Sequence, residues 1–280
     1  PRLTWSNNAT TGLPALRTPV TLNGQIMPGD VDRFRIQARK GQKLVLEAQA
    51  RRLMPYLADA VPGWFQATLA LYDAKGNEVA FADDFRFDPD PVLYFEAPQD
   101  GEYEVEIRDA IYRGRADFVY RVTVGEQPFV TGIFPLGARA GAVFTPWIAG
   151  WNLAMEKCTL DAGAEGGAVR HATLSQGAWL TNPIRYAVGT LPETLEKEPN
   201  DNAEIAQPIQ PTRIVNGYIS APGDIDVYRF EGKAGEEFVA ETQARRLRSP
   251  LDSLLRLLDA EGNVVAFNDD FEDKGAGMLT

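Results

Sequence analysis

The chain has 280 residues, 44% of them hydrophobic and 10% aromatic, with 28 Lys+Arg against 39 Asp+Glu and a formal charge of −11. That length fits two or three domains, and the apolar content suffices for packed cores, which excludes intrinsic disorder. The acidity argues against nucleic-acid binding, no 18-residue apolar run offers a membrane span, and one cysteine excludes a disulfide framework or a cysteine-ligated zinc site.

The chain starts at Pro1 without a methionine, so a processed or trimmed product is expected, and the lack of a signal peptide says nothing about export. From there the periodicity is two. Asp32, Phe34 and Ile36 share one parity, and Tyr120, Val122 and Val124 share another. Tyr103, Val105 and Ile107 alternate with Glu102, Glu104, Glu106 and Arg108. Such alternation turns one face of a strand to a core and the other to water. Lys40-Gly41, Lys75-Gly76-Asn77 and Asp100-Gly101 supply turns between the runs. Helical patterns are scarce, so an antiparallel β-sandwich is expected over residues 1–126.

One segment interrupts this pattern. Met54-Pro55-Tyr56-Leu57 through Val61-Pro62-Gly63-Trp64-Phe65 places three aromatics on a loop. Tyr56, Trp64 and Phe65 are the ligand-contact candidates, because loop aromatics on β-sandwiches stack on sugars or pack against protein partners. The alternative is a loop that folds back and buries its own rings.

Residues 127–195 are rich in Gly, Ala and Thr and contain Pro128, Pro135, Pro146 and Pro183. Phe129–Pro135, Val143–Gly150, Ala168–Leu174 and Ile184–Val188 read as short strands of a small Ig-like sandwich. Pro192–Pro199 then connects to residues 196–280, which repeat the first domain. Asn23-Gly24-Gln25-Ile26 and Pro28-Gly29-Asp30-Val31-Asp32-Arg33-Phe34 return as Asn216-Gly217-Tyr218-Ile219 and Pro222-Gly223-Asp224-Ile225-Asp226-Val227-Tyr228. Gln49-Ala50-Arg51-Arg52-Leu53 returns intact as Gln243-Ala244-Arg245-Arg246-Leu247. Asp73-Ala74-Lys75-Gly76-Asn77 and Val79-Ala80-Phe81-Ala82-Asp83-Asp84-Phe85 return as Asp259-Ala260-Glu261-Gly262-Asn263 and Val265-Ala266-Phe267-Asn268-Asp269-Asp270-Phe271. A spacing this long is a duplicated domain rather than a solenoid unit. The second copy stops before counterparts of Leu93–Gly125, so it is expected to be a sandwich truncated at its C-terminal strands, with a longer natural chain. The three segments carry net charges of −3, 0 and −8, so the acidity belongs mainly to the last.

The repeated Gly-Asp-x-Asp-x-(Phe/Tyr), the Leu-(Tyr/Leu)-Asp-Ala-x-Gly-Asn turn, the following Asp-Asp and the Asp-Gly-x-Tyr-x-Val-x-Ile strand resemble the bacterial pre-peptidase C-terminal domain. That family is related to the collagen-binding domains of clostridial collagenases. The central segment, with Ile133-Phe134-Pro135-Leu136-Gly137 and Gly150-Trp151-Asn152-Leu153, is similar to Ig-like folds of the IPT/TIG type. The resemblance implies an all-β chain in which two jelly-roll-like β-sandwiches, the second incomplete, flank a small Ig-like β-sandwich.

It also implies calcium. In the collagen-binding relatives an acidic leader folds against an Asp-x-Asp strand and binds the ion. Glu196, Glu198, Asn200 and Asp201 match that leader, and Asp224 and Asp226 match the strand. The chemistry is reasonable in its own right. Calcium takes six to eight hard oxygens, and residues two apart on a strand project to one face. The alternative has Asn200 and Asp201 capping a short turn at 203–206, with the Asp-x-Asp oxygens accepting backbone N–H groups. The first copy has no carboxylate in its leader Trp5-Ser6-Asn7-Asn8-Ala9-Thr10, so Asp30 and Asp32 read as structural there.

No residue is assigned a catalytic role. His171 lacks a nucleophile-elbow motif beside it, and Cys158 reads as a small apolar strand residue. The pairs Asp83/Asp84 and Asp269/Asp270 read as a recurring turn rather than glycosidase acids, with a metal role left open. In Arg51-Arg52 and Arg245-Arg246, one arginine of each pair is expected to bridge to carboxylates and the other to be solvated. The expected function is a non-catalytic binding, adhesion or scaffolding module, extracellular, on the cell surface or periplasmic. Its partners would be an extracellular protein or polysaccharide, or other domains or subunits of a larger surface assembly. The alternatives are a substrate-targeting region of a secreted peptidase or other hydrolase, and a carbohydrate-binding array.

Overall fold

The computed structural model describes residues 14–54 and 64–269. Among them the chain is all β, its one helical element being the 3-10 turn Arg245–Leu247. It divides into two compact units, one of Pro1–Phe129 with Gln176–Thr181, the other of Val130–Ser175 with Asn182–Thr280.

The first unit contains β1 (Leu16–Arg17), β2 (Val20–Gln25), β3 (Val31–Ala38), β4 (Lys43–Gln49), β5 (Ala67–Tyr72), β6 (Glu78–Ala82), β7 (Val92–Glu96), β8 (Gly101–Asp109) and β9 (Val119–Gly125). They form a five-stranded sheet in the order β1-β3-β8-β5-β6 and a four-stranded sheet in the order β2-β9-β4-β7. Every pairing is antiparallel except β1 with β3. The period-two runs place Ile36, Leu69, Leu71, Val105 and Ile107 of one sheet against Leu44, Leu46, Val122 and Val124 of the other, all fully buried. Burying each such side chain is worth about 1.5–3 kcal/mol, so this core carries the fold. The outward parity is not exposed throughout, since Val45, Thr68 and Ala70 are buried there, and so is one charged residue. Glu106 is only 5% exposed, because Arg33 and Arg108 lie across it.

Two buried carboxylates organise the loops. Asp90 accepts the N–H groups of Ala50, Arg51 and Arg52 and pairs with the Arg52 side chain. Asp109 accepts the N–H groups of Gln66, Ile111 and Arg113 and pairs with the Arg113 guanidinium. The β5–β6 turn is closed more locally. Asp73 Oδ1 accepts the N–H groups of Lys75 and Asn77 at 2.8 and 2.9 Å, Asp73 Oδ2 accepts Asn77 Nδ2 at 2.9 Å, and Gly76 takes φ 82°.

The second unit begins with β10 (Phe129–Phe134), β11 (Gly137–Arg139), β12 (Trp147–Trp151) and β13 (Val169–Ala172). In chain order β14 (Ser175–Gln176), β15 (Trp179–Leu180) and β16 (Ile184–Gly189) follow, β15 lying in the Gln176–Thr181 stretch that belongs to the first unit and β16 in the second. β10 pairs with β12, and β11 and β13 flank β16. Val130, Ile148, Cys158, Leu160, Ile184 and Tyr186 make the Ig-like core. The strand expected at Val143–Gly150 is shorter than its pattern suggests. Val143 is 90% exposed, Phe144 makes only an isolated bridge with Leu160, and the continuous strand β12 starts after Pro146, which has no N–H to give to a ladder. Cys158 is buried in this core between two isolated bridges rather than within a strand, and burial pushes its thiol pKa up.

The second repeat contributes β17 (Glu193–Leu195), β18 (Gln207–Pro208), β19 (Ile214–Asn216), β20 (Tyr228–Arg229), β21 (Leu255–Leu258) and β22 (Val264–Asn268). β17 pairs with β19 and β18 with β20, both parallel, and β21 pairs with β22 antiparallel. Every residue of β21 and β22 is exposed. In the first repeat the matching strand β5 is held from its other side by β8. The turn between β21 and β22 repeats the earlier one bond for bond. Asp259 Oδ1 accepts the N–H groups of Glu261 and Asn263 at 3.0 and 2.8 Å, Asp259 Oδ2 accepts Asn263 Nδ2 at 2.9 Å, and Gly262 takes φ 86°.

Candidate metal centre in the second repeat

The leader after β17 folds against the residues that precede β20. Val227 N–H donates to the Asn200 carbonyl at 2.9 Å, and Gln207, 8% exposed, accepts Lys197 N–H at 2.7 Å and donates to the Leu195 carbonyl at 3.1 Å. These bonds bring oxygens of Glu196, Glu198 and Asp226 within 4.8 Å of one another. Asn200 is fully buried beside them, its Nδ2 donating to Glu196 Oε1 at 3.2 Å and its N–H to Glu198 Oε2 at 3.1 Å.

Two acceptors at this point have no donor. Asn200 Oδ1 and Asp226 Oδ1 are buried without a hydrogen-bond partner. A buried oxygen left this way costs about 1–3 kcal/mol, and a hard cation would satisfy both at once. Glu196, Glu198, Asp226 and Asn200 therefore fit calcium by donor type and by their orphaned lone pairs.

The protonation states agree with that reading. Burial pushes the Asp226 pKa up to about 7, helped by its hydrogen bond with Glu196 and the charges of Glu196, Asp224 and Glu198. Burial also opposes charge on Glu196, yet donors from Tyr228, Tyr218 N–H, Asp226 and Asn200 outweigh it and hold that carboxyl below its usual range. Loss of hydration, with the charges of Asp224, Glu196 and Asp201, pushes Glu198 up. Three carboxylates thus crowd together, and that crowding with burial favours the protonated form of Asp226 and Glu198.

Asp201 and Asp224 are not among the three carboxylates that converge. Asp224 Oδ2 accepts Ser220 N–H, just as Asp30 Oδ2 accepts Met27 N–H at 3.0 Å in the first repeat. The first aspartate of each Asp-x-Asp therefore closes its own turn. The short turn after the leader is capped by Asn202, whose Oδ1 accepts Glu204 and Ile205 N–H groups, and not by Asn200 or Asp201. In the first repeat, the aspartate matching Asp226 is Asp32, which accepts a hydrogen bond from the Tyr120 hydroxyl. Phe34 stands where Tyr228 reaches Glu196 at 2.6 Å, so that repeat lacks both the carboxylate and the phenol that holds it.

The aromatic contact candidates separate. Phe65 is 5% exposed and stacks on Phe118 at 5.2 Å inside the first core, so it is a core residue and not a surface contact. Its apolar ring gains more from that burial than a loop position offers. Trp64 is half-buried under the Arg51 guanidinium at 4.8 Å, and Tyr56 lies outside the described residues. Arg51 is thus stacked rather than solvated. Arg52 pairs with Glu47 and Arg246 with Glu241, the same ion pair in both repeats. Asp83 and Asp84 follow β6 in a turn, where burial and Asp83 push the Asp84 pKa up, and Asp269 follows β22 at the matching place. Asp270 lies outside the described residues. His171 is held below the usual histidine range by burial and by the charges of Arg185 and Arg248, which oppose the imidazolium a triad base must form.

No family model matches the chain. A probable subtilase-type serine protease of Deinococcus radiodurans is 42% identical over 76 residues, 26% of this chain and 10% of that protein. The chain thus spans about a tenth of the length of this relative. Among solved structures it is similar to the pre-peptidase C-terminal domain of a collagenase from Bacillus anthracis, at 13% identity and a TM-score of 0.29, covering 39% of this chain and 91% of that one. It is also similar to the periplasmic g-type lysozyme inhibitor PliG of Salmonella Typhimurium, at 21% identity and a TM-score of 0.26, covering 38% and 85%. In its duplicated motifs and its all-β architecture, the chain resembles the bacterial pre-peptidase C-terminal family.

Proposed function

We propose that the chain is a non-catalytic binding and scaffolding region of a secreted, surface-attached or periplasmic protein, with calcium stabilising its second repeat. Its partner would be an extracellular protein or polysaccharide, or a neighbouring part of a larger assembly. The observation that carries the calcium reading is the pair of orphaned oxygens, Asn200 Oδ1 and Asp226 Oδ1, beside three converging carboxylates. Calcium would act there as a structural cross-link between the leader and the strand that follows it, pinning the connection from the Ig-like segment. A second reading makes the chain an accessory, substrate-targeting region of a peptidase. It is favoured by the 42% identity to a stretch forming only 10% of a probable subtilase-type protease.

Calcium should raise the melting temperature of the whole chain, and Glu198→Gln with Asp226→Asn should remove the rise while leaving the ion-free melting temperature within a few degrees. The linkage relation sets the scale, about 2.7 kcal/mol at a hundredfold excess over Kd. An unchanged calcium response in the double variant would overturn the site. For the binding role, the calcium-loaded chain should bind immobilised collagen or a cell-wall polysaccharide. Binding to none of a panel of extracellular proteins and glycans would overturn that role.

The proton on Asp226 gives a second test. Because the folded pKa is raised, the ion-free fold holds this proton more tightly than the unfolded chain does. Stability from this group is therefore present at low pH and falls as pH rises from about 4 toward 7. Calcium needs the same oxygen deprotonated, so its affinity should rise from pH 5.5 to 8, with about one proton released per ion in calorimetry. Binding that is flat across this range would contradict the assignment of Asp226.

A further inference from the structure

In the first sandwich most arginines end on a carboxylate. Arg33 pairs with Glu104 and Glu106, Arg35 with Glu102, Arg52 with Asp90, Arg113 with Asp109 and Arg115 with Asp117. Three neighbouring cations depart from this. Arg17 on β1 and Arg39 and Lys40 in the β3–β4 turn line one open cleft of about 670 Å³. Their side chains make no hydrogen bond or ion pair among the described residues.

The cations hang from a fixed frame. β1 runs beside β3 with Arg17 opposite Gln37. The turn is held by Gly41 N–H to the Ala97 carbonyl at 2.7 Å, Gln42 N–H to the Arg39 carbonyl at 2.9 Å, and Lys40 N–H to Asp100 Oδ1 at 2.6 Å. Glu126 is the carboxylate on the cleft wall, and it is engaged by Gln42 Nε2 at 3.3 Å, which also donates to Thr18 Oγ1 at 3.1 Å. The lining is entirely polar or charged apart from Gly41. In a chain of net charge −11, this cleft sets three cations against the one lining carboxylate, Glu126, which leaves it a local excess of positive charge that an anion would offset.

We propose that this cleft binds an anionic polysaccharide, with Arg17, Arg39 and Lys40 taking its carboxylate or sulfate groups and the Gln37 amide meeting its hydroxyls. A wholly polar, open lining along a sheet edge suits a hydrated chain polymer and offers nothing to an apolar ligand. Guanidinium groups pair with carboxylate or sulfate oxygens in a fixed fork. The inference rests on the binding role proposed above and names a ligand class for it, at a site separate from the calcium cluster.

The test is calorimetry of the intact, calcium-loaded chain with polygalacturonate oligomers, heparin oligosaccharides, neutral dextran and polyglutamate. One of the two anionic glycans should bind, dextran should not, and polyglutamate should bind at least tenfold more weakly. The triple variant Arg17→Gln, Arg39→Gln, Lys40→Gln should lose about tenfold or more in affinity. Its melting temperature should be unchanged, and raised salt should weaken the parent's binding. Which glycan binds separates uronate from sulfate recognition. Equal binding by the triple variant overturns the site and leaves the binding role standing. Equal binding of polyglutamate overturns the ligand class, as does failure of both anionic glycans when a neutral glycan or an extracellular protein binds. Failure of every ligand overturns the cleft and the binding role together.

Discussion

Leu71→Ala should destabilise the first sandwich by about 2–5 kcal/mol, whereas Leu257→Ala, the matching substitution in the second repeat, should cost under about 1 kcal/mol. The two leucines occupy the same place in the same motif, two residues before Asp73 and Asp259. Their surroundings differ. Leu71 is fully buried on β5, which β8 and β6 hold from both sides, while Leu257 is 41% exposed on β21, which pairs with β22. Truncating Leu71 removes transfer energy and leaves a cavity in a core of high packing density. Truncating Leu257 removes a side chain that water already reaches. Urea unfolding of each variant of the whole chain, followed by circular dichroism, measures both. Equal losses would show that Leu257 is covered in solution.

Asp109→Ala should be as damaging, at about 3–5 kcal/mol, with Asp109→Asn costing less. This carboxylate is fully buried and accepts the N–H groups of Gln66, Ile111 and Arg113 at 3.0–3.2 Å, together with the Arg113 guanidinium. Alanine would strand those donors and a half-buried positive charge. Asparagine keeps an acceptor for part of the set. Arg113 also donates to the Trp64 carbonyl at 3.1 Å, so loss of the network should loosen the Trp64 loop and shift its fluorescence before global unfolding. Unfolding midpoints for the two variants, compared with Asp117→Ala at the exposed pair with Arg115, check the ranking. A loss no larger than that of the exposed pair would contradict the assigned role.

Much of this was legible in the residues because the signals were local or repeated. The alternation of Tyr103, Val105 and Ile107 gave the inward face of β8, since side-chain direction on a strand follows parity alone. The recurrence of Gln-Ala-Arg-Arg-Leu pointed to an arginine–carboxylate bridge, found at Arg52–Glu47 and Arg246–Glu241. The family resemblance, rather than spacing alone, pointed to the leader that sets Glu196 and Glu198 near Asp226. What sequence could not settle depended on long-range packing. Phe65 reads as a loop aromatic until Phe118, 53 positions away, is seen to stack on it. Asn202 and Asn200 are equivalent as letters, yet one caps a turn and the other is drawn inward by Glu196 and Val227. Asp224 falls outside the converging carboxylates for a reason visible only by comparing repeats, since Asp30 closes the same turn without any leader carboxylate.

The paired turns at Asp73 and Asp259 bear on how the chain reaches its fold. One sits under a complete core and the other on an exposed hairpin, yet their hydrogen bonds agree within about 0.2 Å. Five residues therefore specify this turn without help from anything distant. A hairpin with such a closure can form on the microsecond scale, long before the non-local pairings of a sandwich. In each repeat such a closure suits a local nucleus, able to set the register of the strands on either side before distant strands pair. Duplication has thus copied a local folding instruction along with a shape.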